Sequence, residues 1–336
     1  MGRSIVRLKD IADKTGFSTN TVSLALRESP RIPLETRALI HKTASELNYL
    51  PNQIAKSLVS RETKTIGLVL TDMTNPTLTL TAQALENVLA KRGYSTLFAT
   101  SNNNLAEEIK VVEMFRSRQV DGILIYPTSH YQLDHIRPLR AANYPVVLLV
   151  GNPDSGLDAV SVDDRRGAYK AVRHLVELGH KKIGILDSSH KLGNVEKHEG
   201  YQQALSEGGI EIDPQLSMDP EGHSAKAGFD AMAKLLENSA RITAVFASND
   251  SLALGALRWC RMHNLRVPED IAIIGYDNIE LAAYASPPLS SVNYAEELVA
   301  QDAVNRLMEL IKTQDQLPEP RITLIDPELI VRESTK

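Results

Sequence analysis

Two groups of residues in this chain have the types and spacing to do chemistry. The first lies in the run Ser18-Thr-Asn-Thr-Val-Ser-Leu24, where Thr19 and Asn20 stand one helical turn before Leu24. An asparagine can bond adenine through N6 and N7, a threonine hydroxyl donates or accepts, and a leucine can touch a thymine methyl, so the set suits base edges in a major groove. The second group follows a series of short apolar runs: Thr71-Asp72, Ser101-Asn102, Pro127-Thr128-Ser129, Asp187-Ser188-Ser189-His190, Ser248-Asn249-Asp250 and Asp277-Asn278. Hydroxyls, amides and carboxylates gathered in this way suit a polyhydroxylated ligand. Strand ends are also polar simply because they are loops, and these residues alone leave both readings open.

Other chemistries find no support. The first apolar run leads into Thr71-Asp-Met-Thr-Asn-Pro76, without the glycines that hold a pyrophosphate, and no P-loop, H-E-x-x-H or G-x-S-x-G occurs. No His/Asp/Glu set has metal-ligand spacing, so neither a metal nor a cofactor is expected, and the chain does not read as an enzyme. A single cysteine, Cys260, excludes an internal disulfide and fits a reducing cytoplasm. Trp259 and Cys260 read as packing residues, His174 and His180 as hydrogen-bonding residues at a helix, and Glu107-Glu108 and Glu296-Glu297 as solvated faces.

The elements that must position the first group are three short helices. Leu8, Ile11, Ala12 and Thr15 recur at helical spacing and stop at Gly16, suited to a tight turn. Ser18 is an N-cap candidate, after which Val22, Ala25 and Leu26 give the next helix an inner face. A third helix from about Leu34 to Leu47 offers Ile40, Ala44 and Leu47. Close crossing of two such helices is a helix-turn-helix, whose second helix enters the major groove with its N-terminal residues against the bases. Ser18, Thr19, Asn20, Thr21, Leu24 and Arg27 are therefore the candidate DNA contacts of this helix. The charge agrees. Residues 1–64 carry eleven Lys/Arg against six Asp/Glu, whereas the rest of the chain carries 26 against 36. Only the head of the chain is suited to meet a polyanion.

The second group needs an α/β body. Strands are expected at Ile66–Leu70, Ser95–Ala99, Gly122–Tyr126, Val146–Val150, Ile183–Leu186, Ala244–Ala247 and Ile271–Gly275, with helices between them at Leu78–Arg92, Leu105–Arg118, Arg165–Leu178 and Ser251–His263. The alternation argues for parallel sheets covered by helices on both faces, with ligands bound at the carboxyl ends of the strands. Lys64-Thr-Ile-Gly-Leu-Val69 and Lys181-Lys-Ile-Gly-Ile-Leu186 open two similar halves alike. No apolar run is long enough for a membrane span, and the N-terminus lacks the apolar region of a secretory signal.

The run Leu8-Lys-Asp-Ile-Ala-Asp-Lys-Thr-Gly-Phe-Ser-Thr-Asn-Thr-Val-Ser-Leu-Ala-Leu26, with Thr36-Arg37 and Tyr49-Leu-Pro-Asn-Gln-Ile-Ala-Lys-Ser-Leu58, resembles the headpiece and hinge of the lactose/galactose repressor (LacI/GalR) family. Asp72 with Asn75-Pro76, Gly93-Tyr94, Val120-Asp-Gly122, Val162-Asp-Asp164, Leu178-Gly-His180, Ser248-Asn-Asp250, Val267-Pro-Glu-Asp270, Gly275-Tyr-Asp277 and Pro288-Leu289 extend the resemblance over nearly the whole chain. It implies a helix-turn-helix headpiece at 1–50, a hinge helix and linker at 51–64, and a two-lobed core of the type I periplasmic-binding-protein kind. The lobes are expected at 65–162 plus 292–321 and at 163–291 plus 322–336. It further implies a hinge that becomes helical on a pseudo-palindromic operator, Asn52, Ala55 and Lys56 contributing and Leu58 wedging into the minor groove. Such a wedge costs unstacking energy and gains a bent duplex with more contact. A side-by-side homodimer is implied, and the chain end at Lys336, without a heptad tail, favours a dimer over a tetramer.

For the effector cleft, the resemblance and the strand ends together mark Asp72, Asn75, Thr77, Ser101 and Ser129 in the first lobe. In the second they mark Lys191, Asn194, Lys197, His223, Asn249 and Asp277. Several positions depart from the family pattern. Leu24 stands where many members have Arg or His, Lys197 where an arginine is usual, Thr77 where an aromatic follows Asn-Pro, His223 where several have Trp or Phe, and Val150-Gly151 where Asp-Arg is frequent. The function implied is a transcriptional repressor released by a sugar or glycoside. The alternatives are a regulator that needs a purine-type co-repressor and a sugar-binding module without DNA regulation. A secreted binding protein would need a signal peptide where this chain has a basic helix-turn-helix.

Overall fold

The computed structural model describes residues 6–50, 62–187, 194–238, 242–313 and 316–336. The chain forms two compact units, Met1–Thr63 and Lys64–Lys336.

In the first unit α1 (Leu8–Thr15), α2 (Thr19–Leu26) and α3 (Leu34–Glu46) follow the expected periodicities. Gly16 ends α1 at φ 77°, and its N–H closes the turn on the Ala12 carbonyl at 2.8 Å. A side chain would disfavour that left-handed backbone. Ser18 caps α2 by accepting from the Thr21 N–H at 3.1 Å. Ile11, Ala12, Val22, Ala25, Ile40 and Ala44 form a buried core, with Leu8, Phe17, Leu26, Ile32, Leu47 and Tyr49 packed around it. Burying these faces is what makes such short helices stable, since isolated helices of this length are marginal in water.

The second unit contains two six-stranded sheets. The first is built from β1 (Thr65–Leu70), β2 (Ser95–Thr100), β3 (Gly122–Ile125), β4 (Val146–Leu148), β5 (Ala159–Val162) and β11 (Ile322–Ile325), in the order β11-β5-β4-β3-β1-β2 and parallel throughout. The second is built from β6 (Ile183–Leu186), β7 (Ser217–Met218), β8 (Ala244–Ala247), β9 (Ala272–Asp277), β10 (Ser290–Asn293) and β12 (Glu328–Ile330), in the order β12-β10-β9-β8-β6-β7. Here β12 runs antiparallel to β10 at one edge, while the other pairings of the sheet are parallel, as expected. The remaining helices are α4 (Pro76–Ala90), α5 (Leu105–Ser117), α6 (Arg137–Ala141), α7 (Asp164–Glu177), α8 (Glu196–Glu207), α9 (Ala225–Asn238), α10 (Asp250–Met262), α11 (Glu280–Ala283) and α12 (Glu296–Lys312). The central strands are apolar on both faces, as sheets covered on two sides require.

The chain passes between the sheets three times: after β5, after β10 and between β11 and β12. The lobe boundaries expected at 291/292 and 321/322 are corrected by the pairing. The whole of Ser290–Asn293 bonds in parallel to β9, and Ile322–Ile325 bonds in parallel to β5 with Ile322 opposite Ala159. A buried ion cluster fastens the first lobe near these crossings. Asp158 meets Arg140 at 2.7 Å and Arg306 Nε at 2.6 Å, and it also accepts from the Arg321 N–H at 3.0 Å. Among the described residues no helix is long and apolar enough to cross a membrane.

Candidate nucleic-acid face and effector cleft

On α2, Val22 and Ala25 point into the headpiece core, which turns the rest of the helix outward. Ser18, Thr19, Asn20 and Arg27 are exposed, and Thr21 and Leu24 are half-buried. Asn20, Leu24 and Arg27 are spaced i, i+4, i+7 and share one side of the helix. Arg27 Nη2 donates to Ser23 Oγ at 2.6 Å, which places Ser23 on the same face although the sequence reading passed it over. The guanidinium and the amide supply donors, and Leu24 an apolar surface between them. Asn52, Ala55, Lys56 and Leu58 lie outside the described residues.

The cleft of the second unit lies between the two sheets at the carboxyl ends of their strands and has a volume of about 160 Å³. Asp72, Asn75 and Thr77 reach it from the end of β1 and the start of α4. Asn75 caps α4 by accepting from the Thr77 N–H at 3.0 Å, with Pro76 at the first helical position, where no N–H is needed. Asp72 Oδ1 accepts from the Thr74 N–H at 2.7 Å, so its carboxylate is fixed by the following turn. Across the cleft, Asn249 caps α10 through the Leu252 N–H at 2.8 Å, and Asp277 ends β9, 6% exposed. Asn194, Lys197 and His223 complete the expected residues that line this space.

Two expected residues stand behind the wall instead. Ser101 is buried and lies 3.1 Å from the Thr128 hydroxyl, which does reach the cleft. Ser129 Oγ accepts from the N–H groups of Tyr131 and Gln132 at 3.3 and 3.2 Å, holding a turn. Lys191 lies outside the described residues. Sequence reasoning missed Tyr126, His130, Asp164, Glu196 and Tyr294, all of which line the cleft. The Tyr126 and Tyr294 hydroxyls meet at 2.8 Å. His130 bridges the lobes: its N–H donates to Asn194 Oδ1 at 3.0 Å and its Nδ1 lies 3.1 Å from Glu196 Oε1.

Glu108 corrects another expectation. Far from being solvated, it is fully buried, accepts from the Thr128 N–H and hydroxyl at 2.6 and 2.7 Å, and pairs with His135 at 2.7 Å. Its exposed neighbour Glu107 does face solvent, while Glu296 is only half-buried beside exposed Glu297. His174 and His180 bond Thr335 and Thr243 at 3.1 and 3.0 Å, Cys260 is buried, and Trp259 stacks on His263 at 3.9 Å.

The electrostatics of the cleft are set by burial. The Asp277 carboxyl is pushed up to about 6 by desolvation, against which the Lys197 ammonium pulls. His223 is lowered by burial and by Lys197, so it is neutral at pH 7. The ammonium of Lys197 is itself engaged: it donates to the Ser248 carbonyl at 2.8 Å, lies 3.8 Å from the centre of the Tyr276 ring and 3.8 Å from Asp164. Among the described residues no three His, Cys, Asp or Glu are grouped to hold a metal. The arrangement offers fixed acceptors and donors on opposing walls, which is what orienting a multiply hydroxylated ligand requires.

A small helix-turn-helix unit followed by a two-lobed α/β core defines a DNA-binding transcriptional regulator. The chain belongs to the lacI family of bacterial regulatory proteins. The model for that family's DNA-binding domain matches residues 7–52, and a periplasmic binding protein-like domain matches residues 172–335. The HTH-type transcriptional repressor PurR of Pasteurella multocida (strain Pm70) is 34% identical over 333 residues, covering 98% of both chains. The PurR repressor of Vibrio atlanticus (strain LGP32) is 33% identical over 335 residues, again covering 98% of both. Among solved structures, the lac repressor dimer bound to operator and the anti-inducer ONPF superposes with a TM-score of 0.87 at 25% identity, over 98% of this chain and 99% of that one. The transcriptional regulator CelR–cellobiose complex superposes at 0.72 with 29% identity over the same shares. The protein is a DNA-binding transcriptional repressor of this family.

Proposed function

We propose that the repressor binds its operator as a homodimer and is released from it by a sugar or glycoside held in the cleft. The observation that carries this reading is the composition of the cleft walls. The carboxylates of Asp72 and Asp277 and the amide of Asn249 line a common space together with Thr77 and His223. Tyr126 and Tyr294 are turned toward each other through their hydroxyls and do not form a sandwich for a ligand. A carboxylate accepts from neighbouring hydroxyls in charge-assisted bonds worth roughly 1.5–3 kcal/mol each. A ligand acts through its differential affinity for two arrangements of the lobes. In this reading the arrangement it favours separates the paired hinges that carry Leu58.

A purine co-repressor is the second reading, favoured by the two PurR repressors at 33–34% identity. Fluorescence anisotropy on DNA from the gene's own upstream region, run over a salt series with sugars, glycosides and purines, separates the two. Tight, salt-sensitive binding abolished by one sugar supports inducer release. Binding that appears only on adding a purine reverses the sign of control and replaces the sugar reading.

Asn20→Ala is expected to weaken operator binding by roughly 1–3 kcal/mol and to relax the preference at one base pair, as a lost bidentate base contact does. Equal losses on specific and random DNA would show a role in binding the backbone instead. The affinity for the sugar should also follow the Asp277 carboxyl, which titrates at about 6. The carboxylate is the acceptor, so affinity holds above pH 7 and falls as the pH drops below 6. A flat profile in isothermal titration from pH 5 to 8 contradicts Asp277 as a contact.

A further inference from the structure

We propose that Asp250, together with Ser291 and Arg332, is a positioning group that holds the 277–279 turn in a strained form and so presents Asp277 to the effector. This rests on the reading of the cleft as the effector site. Asp277 and Asn278 have φ of 103° and 56°, two consecutive residues with side chains in the left-handed half of backbone space. Such residues persist only where the surroundings over-determine them, and they gather at binding sites. The surroundings here are specific. The Ile279 N–H donates to Asp250 Oδ2 at 2.8 Å, and the Asn278 N–H donates to Ser291 Oγ at 3.0 Å. The Ser291 hydroxyl in turn lies 2.6 Å from Asp250 Oδ1, and both residues are fully buried. From the C-terminal segment, Arg332 Nη2 donates to Asn278 Oδ1 at 2.7 Å and Nη1 to the Leu289 carbonyl at 2.6 Å.

Three separate elements thus converge on one turn. Asp250 opens α10 directly after Asn249, so the same residue links two walls of the cleft. Room for its carboxyl is made by Gly275, where a Cβ would stand 2.1 Å from Asp250 Oδ1. Burial, and then Asp277, push the Asp250 carboxyl up to about 8, while Arg332 pulls it down. Asp277 is in turn faced by Lys197 of α8, Asp164 of α7 and Glu296 of α12. Asp250 Oδ2 accepts from the Ile279 N–H and Oδ1 from the Ser291 hydroxyl, and an asparagine keeps the acceptor for Ile279 while turning its NH₂ toward Ser291 Oγ.

The test compares full-length wild type with Asp250→Ala, Asp250→Asn and Ser291→Ala by hydrogen exchange of the segment 275–282. Both alanine variants are expected to raise exchange at 278 and 279 at least about tenfold while α12 keeps its protection, and Asp250→Asn should stay within about threefold of wild type. Should Asp250→Ala lose its fold, Ser291→Ala carries the comparison. Each variant is then titrated with the compound of the anisotropy panel that moved wild type most. About tenfold weaker binding in the alanine variants, restored in Asp250→Asn, supports the assignment. Unchanged exchange in all variants, or a loosened turn with undiminished affinity, overturns it. If a purine is the compound that binds, the sugar reading falls while the variants are compared with that purine. If nothing binds, the effector reading falls and exchange decides whether Asp250 holds the turn.

Discussion

Asp277→Ala is expected to abolish the response to the effector while leaving operator affinity within a factor of about two. The carboxylate is a fixed acceptor at the end of β9. Losing two charge-assisted bonds of about 1.5 kcal/mol each lowers effector affinity by about a hundredfold. Stability should not suffer in step. Burial raises the carboxyl from 3.8 to about 6, so the folded state holds the proton more tightly than the unfolded one. The stability that goes with this is complete below pH 4 and is lost as the pH rises through 6, by about 3 kcal/mol. Asp277→Asn, which keeps the shape at this positive φ, should therefore melt as high as wild type at pH 7 or higher. Titration calorimetry and thermal melts at pH 5 and 7 check both statements. A normal effector response in Asp277→Ala would remove the residue from the ligand contacts.

Asp158→Ala should be the most damaging single change away from the cleft. Asp158 is fully buried, and its removal leaves Arg306, 2% exposed, and the partly buried Arg140 without their carboxylate. Breaking a buried ion pair by deleting one partner costs about 3–5 kcal/mol, because the remaining charge stays desolvated. In a unit of this size that is a fall in melting temperature on the order of 10 °C. The Arg321 N–H also loses its acceptor, so the segment leading into β11 should become the first site of proteolytic cleavage. A fall of less than 2 °C would mean that Glu309 and the Glu319 carbonyl, both already bonded to Arg306, are sufficient partners.

Much of this molecule is legible in its sequence where local chemistry decides the structure. Gly16, the Ser18 cap and the Val22–Ala25 inner face announce the headpiece because each acts within a few residues. The strands Ile66–Leu70 and Ile183–Leu186 are equally plain, since they are apolar throughout. The strands that escaped notice include the short, largely apolar β5 as well as β10, whose serines are buried with hydrogen bonds. Ser290 and Ser291 are fully buried in β10 and bonded to the 332–335 segment and to Asp250, a pairing across more than forty positions that no local pattern reveals. Ile322–Ile325 joins the first sheet only because β5 has an open edge. The cleft was legible as a set of polar strand ends, and eight of the eleven expected residues line it. Ser101 differs because Thr128 stands in front of it. Glu108 looks like any helix-surface glutamate until His135 and the Thr128 amide are brought to it by folding.

The three passages of the chain between the lobes also set the order in which the protein can be made. The headpiece core needs nothing beyond Tyr49, and its contacts are local. The first sheet, by contrast, lacks its edge strand until Ile322–Ile325 has left the ribosome, more than 150 residues after its partner β5. Domains fold as they emerge, and distant pairings form late. A growing chain is therefore expected to acquire the fold that reads DNA early, while the outer edge of the first sheet of the two-lobed core is among the last parts to form.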